Sequence, residues 1–447
     1  MTYETPAPAR PLPVRLREGF AEFLHTEVAG AVALLAATVV ALVLANSPLY
    51  GLYDAFWHTQ AGVSVGGWQF SESLVHWVND LLMAFFFFVV GLEIKREVLV
   101  GELSVRRKAV LPILAAVGGM AVPALIYLAI NAGGQGANGW GIPMATDIAF
   151  AVGVMALLGD RVPSGLKVFL VALAIADDIG AILVIAFFYT SGILFPWLGA
   201  AAVLFGVLVL LNRRGIDTPV PYMVVGGLLW FAVLMSGIHS TIAGVLVAFT
   251  IPAVAKIDPL RFVADTRGRL NRIEAADVRG DHVLVDDQQQ LCALEIRREA
   301  RHTAAPLQRL EFALHPFTTF VVLPLFALSN AGVRFVGGDF AAAISTPIAL
   351  GVVLGLVVGK PIGITVMSLV AVKLRVADLP QGVGWAQILG AGMLGGIGFT
   401  MSLFVASLAF RGTAEITEAK MAILLASVAA GVSGFLVLRF SRPPAAQ

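Results

Sequence analysis

Residues 168–189 read VFLVALAIADDIGAILVIAFFY, and the only charged positions in the run are Asp177 and Asp178 at its middle. A stretch of this length crosses the hydrocarbon core of a bilayer as a single helix. One ionisable group at the centre of such a helix costs about 2.5–3.5 kcal/mol on insertion scales, so an adjacent pair needs partners, water, protons or a bound cation to offset it. The run therefore predicts a membrane helix with ion chemistry at its midpoint. Two carboxylates satisfied by a structural partner alone are the plainer alternative.

The rest of the chain suits the same solvent. Of its 447 residues 58% are hydrophobic, 13% are charged and 46 are glycine, with a mean hydropathy of +0.87. This is the composition of a polytopic all-α membrane protein. A net charge of +1 gives no reason to expect a nucleic-acid partner, and the single cysteine, Cys292, excludes an intramolecular disulfide framework or a multi-cysteine metal site. The first residues are proline-rich and basic, with Arg10, Arg15 and Arg17 but no apolar core, which reads as a tail rather than a cleaved signal peptide.

Hydropathy predicts twelve spans, at 27–46, 73–94, 109–131, 144–159, 166–190, 194–212, 220–236, 238–254, 312–332, 344–372, 386–410 and 416–438. Lys and Arg fall on alternate connections, among them Lys95, Arg96, Arg106, Arg107 and Lys108 after the second span and Arg213 and Arg214 after the sixth. The intervening loops 47–71 and 132–143 have none. The positive-inside rule then puts both termini in the cytoplasm.

The chain divides into a cytoplasmic tail (1–26), a first membrane part (27–254), a charged cytoplasmic insert (255–311), a second membrane part (312–440) and a short tail (441–447). Between Lys256 and Arg309 lie 19 of the 59 charged residues. Within this insert Asp286 and Asp287 are positioned to cap a helix over 288–302. The insert reads as a solvated connector or a regulatory appendage. In the outer loop 51–70, Val63, Val65, Trp68 and Phe70 around Gly66-Gly67 predict a hairpin, a candidate dimer contact or a plain surface turn.

Two spans carry signs of interruption. The fourth is entered through Gly139, Gly141 and Pro143 and then places Thr146 and Asp147 among apolar neighbours, while the eleventh contains Gly395-Gly396-Ile397-Gly398 before Thr400. A lone glycine cluster in a membrane helix marks close packing. Paired interruptions in the two halves of a chain instead point to a substrate site, because unwound backbone at membrane depth is tolerated only inside protein or along a wet cavity. The remaining intramembrane charges are Lys360, within Gly359-Lys360-Pro361, and Asp80. A buried lysine needs a counter-charge, and Asp147, Asp177 and Asp178 are the candidates.

These strings resemble a known family. VGLEIKRE at 90–97, IPMATDIAFA at 142–151, AIADDIGAI at 174–182, GKPIG at 359–363 and GGIGFTMS at 395–402 are similar, in order and spacing, to those of the bacterial NhaA sodium/proton antiporters. The resemblance implies twelve helices in inverted repeats, with two discontinuous helices crossing at spans four and eleven. It also implies a homodimer held through the outer hairpin, a place in the bacterial inner membrane, and electrogenic, pH-regulated exchange of sodium or lithium for protons with no cofactor. By motif, Asp178 matches the essential cation ligand, Asp177 its partner carboxylate and Lys360 the buried lysine that pairs with it. Asp147 and Thr146 match the polar residues at the span-four break, so that Asp178, Asp177 and Thr146 are the implied sodium ligands. Glu93, Glu97, His239 and His315 match residues associated with pH sensing. One departure falls before span nine, where Glu311 is followed by Phe312, and the insert exceeds the usual connector.

The physical reading agrees. Adjacent helical carboxylates point about 100° apart, and with the oxygens of an unwound turn they suit a hard monovalent cation. Protons compete for the same oxygens, and a coupled pair titrates as a unit, so exchange follows if the site opens alternately to the two sides. Three other activities share some of these features. A symporter needs a further organic-substrate site, and a channel needs no proton coupling. An intramembrane aspartyl protease needs a Gly-x-Gly-Asp motif that Leu157-Leu158-Gly159-Asp160 does not supply.

Overall fold

The computed structural model describes residues 12–190, 192–276, 287–335, 344–411 and 413–441. In chain order the helices are α1 Leu12–Ala45 and α2 Tyr50–His58, then α3 Leu74–Val100 and α4 Arg106–Asn131. A 3₁₀ stretch, Gln135–Met144, leads into α5 Ile148–Leu157. Next come α6 Ser164–Phe188, α7 Phe195–Arg213, α8 Pro219–Met235, α9 Thr241–Thr250, α10 Pro259–Ala276 and α11 Asp287–Thr303. The last group is α12 Pro306–Asn330 and α13 Pro347–Lys373, followed by α14 Trp385–Gly395, α15 Phe399–Ala409 and α16 Glu415–Phe440. The protein is all-α and polytopic. Among the described residues eight helices are long and apolar enough to cross a membrane, and the two bent pairs raise the number to ten.

Of the helices expected at 220–236 and 238–254, α8 keeps the expected 17 residues one position earlier, and α9, with 10 residues, is shorter than expected. Here backbone chemistry overrides hydropathy: Gly237 turns the chain with φ +82°, and Lys95 Nζ closes the far end of α9 by donating to the carbonyls of Phe249 (2.7 Å) and Ile251 (2.5 Å), just before Pro252. The outer loop forms the expected hairpin around Gly66-Gly67, preceded by a helix that was not expected. Its first part is the helix α2, and the hairpin occupies β1 Gln60–Val65 and β2 Trp68–Ser73, paired antiparallel with Val63 opposite Phe70. Gly66, at φ +60°, supplies the left-handed turn conformation that a side chain disfavours.

In the charged insert, α10 and α11 pack together. Arg269 lies between them, its Nε 2.9 Å from Glu295 and its Nη2 2.6 Å from Glu299. The expected capping residue Asp286 lies outside the described residues. The next helix begins at Pro306 rather than near 312, because proline at the first helical positions costs no hydrogen bond.

The core forms where α13, the most buried of the long helices, packs on α4. Gly118 and Gly363 meet at this contact, and a Cβ on either would overlap the other's carbonyl oxygen. The close approach brings Lys360 inside. Three π-helical turns interrupt the long helices, at Val78–Leu82, Thr318–Val322 and Gly355–Gly359. The latter two end two residues before Pro324 and Pro361, whose rings crowd the preceding turn and whose missing N–H leaves a carbonyl there without its donor, and a widened turn relieves both.

Candidate functional site: a carboxylate cluster at crossed helix breaks

The chain 135–157 bends by 45° between Met144 and Ile148, and 385–409 bends by 45° between Gly395 and Phe399. The two breaks meet. The Asp147 N–H donates to the Ile397 carbonyl at 2.7 Å, Thr146 Oγ1 donates to the Gly395 carbonyl at 2.9 Å, and Ser402 Oγ donates to the Ile142 carbonyl at 2.8 Å. Backbone groups freed by unwinding are thus paired across the crossing, which lets unwound chain exist at membrane depth.

Each break also exposes helix ends, with partial positive charge at an N-terminus and partial negative charge at a C-terminus. One carboxylate answers two N-termini. Asp147 Oδ1 accepts from Phe150 N at 3.2 Å, capping α5, and Oδ2 accepts from Thr400 N at 3.0 Å, in the first turn of α15. Thr400 Oγ1 donates to the same oxygen. A cation answers a chain end of the opposite sign: the Lys360 ammonium donates to the Met144 carbonyl and pairs with Asp177 Oδ2 at 2.7 Å. Lys360 is fully buried and Asp177 is 1% exposed.

Adjacency on α6 gives the two aspartates different surroundings. Asp177 turns toward α13 and Lys360, while its Oδ1 accepts no hydrogen bond. Asp178 turns the other way and lines a cavity of about 70 Å³ together with Thr146, Asp147, Glu93, His315, Glu27 and Thr400. That volume holds a few waters, so a partly hydrated small ion fits. Among the described residues Asp178 has no ion-pair partner. Met401, Leu323 and Phe86 supply apolar wall, and Thr318 and Thr319, from the π-helical turn of α12, add hydroxyls. The lining offers four carboxylates and four threonine hydroxyls around a water-sized space, oxygen donors of the kind that hard cations take.

Residues 21–438 match the family model described as Na+/H+ antiporter 1. The chain belongs to this family. A protein named Na(+)/H(+) antiporter NhaA from Oleidesulfovibrio alaskensis is 48% identical over 433 residues, 96% of each chain. One of the same name from Sulfurimonas denitrificans is 50% identical over 425 residues, 94% of this chain and 95% of its own. Another, from Acidithiobacillus ferrooxidans, is 49% identical over 421 residues, 94% of this chain and 96% of its own.

In this Na+/H+ antiporter family member Asp147, Thr146, Asp177, Asp178 and Lys360 converge, with Glu93 and His315 at the cavity wall. Glu97 is elsewhere: it accepts from the Glu102 N–H at 2.8 Å, capping the turn after α3. His239 Nε2 lies 2.5 Å from the Tyr189 carbonyl at the far end of α6. Two participants went unassigned in the sequence. Thr400 follows the glycine cluster, and its position just past Gly398 was the available signal. Glu27 looked like a span boundary, and nothing local foretold that His315 Nε2 would sit 3.0 Å from it.

Proposed function

We propose that this chain is a secondary antiporter that exchanges sodium or lithium for protons, with Asp178 as the principal ligand and Asp177 and Thr146 completing the set. The observation that carries the reading is the asymmetry of the pair: Asp177 is held by Lys360 at 2.7 Å, while Asp178 faces the cavity with no ion-pair partner among the described residues. A carboxylate so placed takes a proton or a metal ion. Either one neutralises it, which makes the two cargoes mutually exclusive.

Asp147 and Lys360 have a second part in this scheme, holding the crossed half-helices in register by neutralising their ends. If both aspartates release protons when one sodium binds, exchange moves net charge and responds to membrane potential. Twelve spans in inverted repeats, with α8 and α9 as short members, complete the architecture. The charge pattern favours cytoplasmic termini and a cytoplasmic insert at 255–311 in a bacterial inner membrane. The β1–β2 hairpin supplies a dimer contact on the opposite face. Glu93 and His315 border the cavity on the side proposed to face the cytoplasm and suit a pH-sensing part, which Glu97 and His239 share less directly.

The test is proton movement in sealed proteoliposomes after addition of sodium, lithium or potassium. Sodium and lithium are expected to drive proton counterflow and potassium is not. Sodium conduction without proton movement would instead assign a channel.

A further inference from the structure

Away from the aspartates, a second and larger cavity of about 590 Å³ lies where the insert meets the membrane helices. Its walls are the approach to α8, the C-terminal half of α11 and the start of α12. Three guanidinium groups line it, from Arg297, Arg298 and Arg309. Among the described residues Arg297 and Arg298 have no ion-pair partner, and Arg309 uses Nη2 on the Asp217 carbonyl at 3.0 Å while its Nε has no acceptor. The acid in the wall, Asp217, is already engaged, 2.9 Å from Lys256 Nζ and 3.0 Å from His302 Nδ1. The Lys256 ammonium accordingly holds the Asp217 carboxyl below the usual carboxylate range. The cavity is left with a surplus of positive charge.

The other half of the lining is apolar, with Leu294, which is 52% exposed, and Leu310. Leu291 on α11, and Val263 and Leu270 on the neighbouring α10, add exposed apolar surface to the insert. Helices with cationic and apolar sides, next to the ends of membrane helices, lie at the lipid–water interface.

We infer that this cavity binds an anionic phospholipid, its headgroup phosphate held by Arg297, Arg298 and Arg309 and its glycerol-acyl end against Leu294 and Leu310. A free phosphate or nucleotide leaves the apolar wall without a partner. A zwitterionic lipid brings an ammonium toward three guanidiniums when the nearby carboxylate is already paired. Placement in the cytoplasmic leaflet rests on the proposed topology. Binding does not, and it is read without transport.

The experiment is thermal unfolding of the full-length detergent-solubilised protein titrated with phosphatidylglycerol, phosphatidylcholine or inorganic phosphate. It compares the native chain with Arg297→Gln/Arg298→Gln and Arg297→Lys/Arg298→Lys. Phosphatidylglycerol is expected to raise the melting temperature, and phosphatidylcholine and phosphate are not. The half-saturating concentration of phosphatidylglycerol should rise on the order of tenfold in the glutamine variant and recover in part in the lysine variant. Sodium-driven proton movement in the glutamine variant should stay normal, which certifies its fold. An unchanged phosphatidylglycerol response in the glutamine variant, or no response in the native chain, overturns the site. Equal stabilisation by inorganic phosphate overturns the lipid assignment in favour of a soluble anion.

Discussion

At the scale of single residues, Asp177 and Asp178 differ in what neutralisation leaves behind. Asp178→Asn removes a buried acid with no ion-pair partner among the described residues, so sodium-dependent proton movement should vanish while thermal stability holds or rises. Asp177→Asn strands the fully buried Lys360 ammonium. Loss of one partner from a buried pair costs about 3–5 kcal/mol, so this variant should melt lower as well as transport abnormally. Unfolding curves of the two variants side by side decide it, and equal destabilisation would refute the assigned asymmetry. Thr400→Val keeps its backbone donation to Asp147 but loses the hydroxyl bond. A hydrogen bond to a charged group contributes about 1.5–3 kcal/mol, so a lower melting temperature and a weaker apparent sodium affinity are expected, whereas Thr400→Ser should be close to normal. The pair of aspartates was plain in the sequence, because nothing else charged lies near them in the chain. Which one met Lys360 was given by the family resemblance, as Asp177, but not by the residues alone: adjacent residues face about 100° apart, and only the rotation of α6 within the bundle selects between them.

At the scale of elements, the breaks in the fourth and eleventh spans were readable from Gly139, Gly141, Pro143 and Gly395 to Gly398, since these residues remove helical preference directly. The π-helical turns were not, because they arise from how each long helix accommodates a proline while staying packed. The Gly118–Gly363 contact is likewise tertiary. Gly363→Ala pushes a methyl onto the Gly118 carbonyl and should cost about 1–3 kcal/mol, as overpacking does. By contrast Gly206→Ala on α7, with open space around it, should be neutral or stabilising by about 0.4–1 kcal/mol. Melting temperatures of the two variants test the contrast. In the insert, the Arg269 guanidinium beside Glu299 holds that carboxyl below its ordinary range. A depressed carboxylate stabilises above the unfolded value of about 4.3 and loses that contribution as pH falls through the folded value. Protease resistance of the α10–α11 pair should therefore be level at neutral pH and fall in acid below the ordinary carboxylate range, with Glu299→Gln sensitive throughout. A resistance profile in Glu299→Gln that matches the native one would remove this ion pair from the account.

At the scale of the whole molecule, hydropathy and the alternation of basic loops outlined a polytopic bundle, whereas α9 came out shorter because a glycine turn and a lysine cap set its ends. What the bundle does with pH depends on whether the aspartates or the cavity wall govern it. If protons and sodium simply contend for Asp178 and Asp177, apparent sodium affinity improves with rising pH until the site is deprotonated, and excess sodium restores exchange at lower pH. A protonated carboxylate is a poor sodium ligand, so this competition needs no separate switch. Glu93 and His315 border the same cavity, His315 lies 3.0 Å from Glu27, and Glu311 lies 3.0 Å from Arg96, so a charge network capable of switching stands beside the site. The deciding measurement is the maximal rate at saturating sodium across pH. Competition predicts a rate that saturating sodium keeps nearly level across pH, with only the half-saturating concentration moving. A steep acid fall that sodium cannot overcome, displaced by Glu93→Gln or His315→Gln, would sink competition as the sole control and place it in the cavity wall.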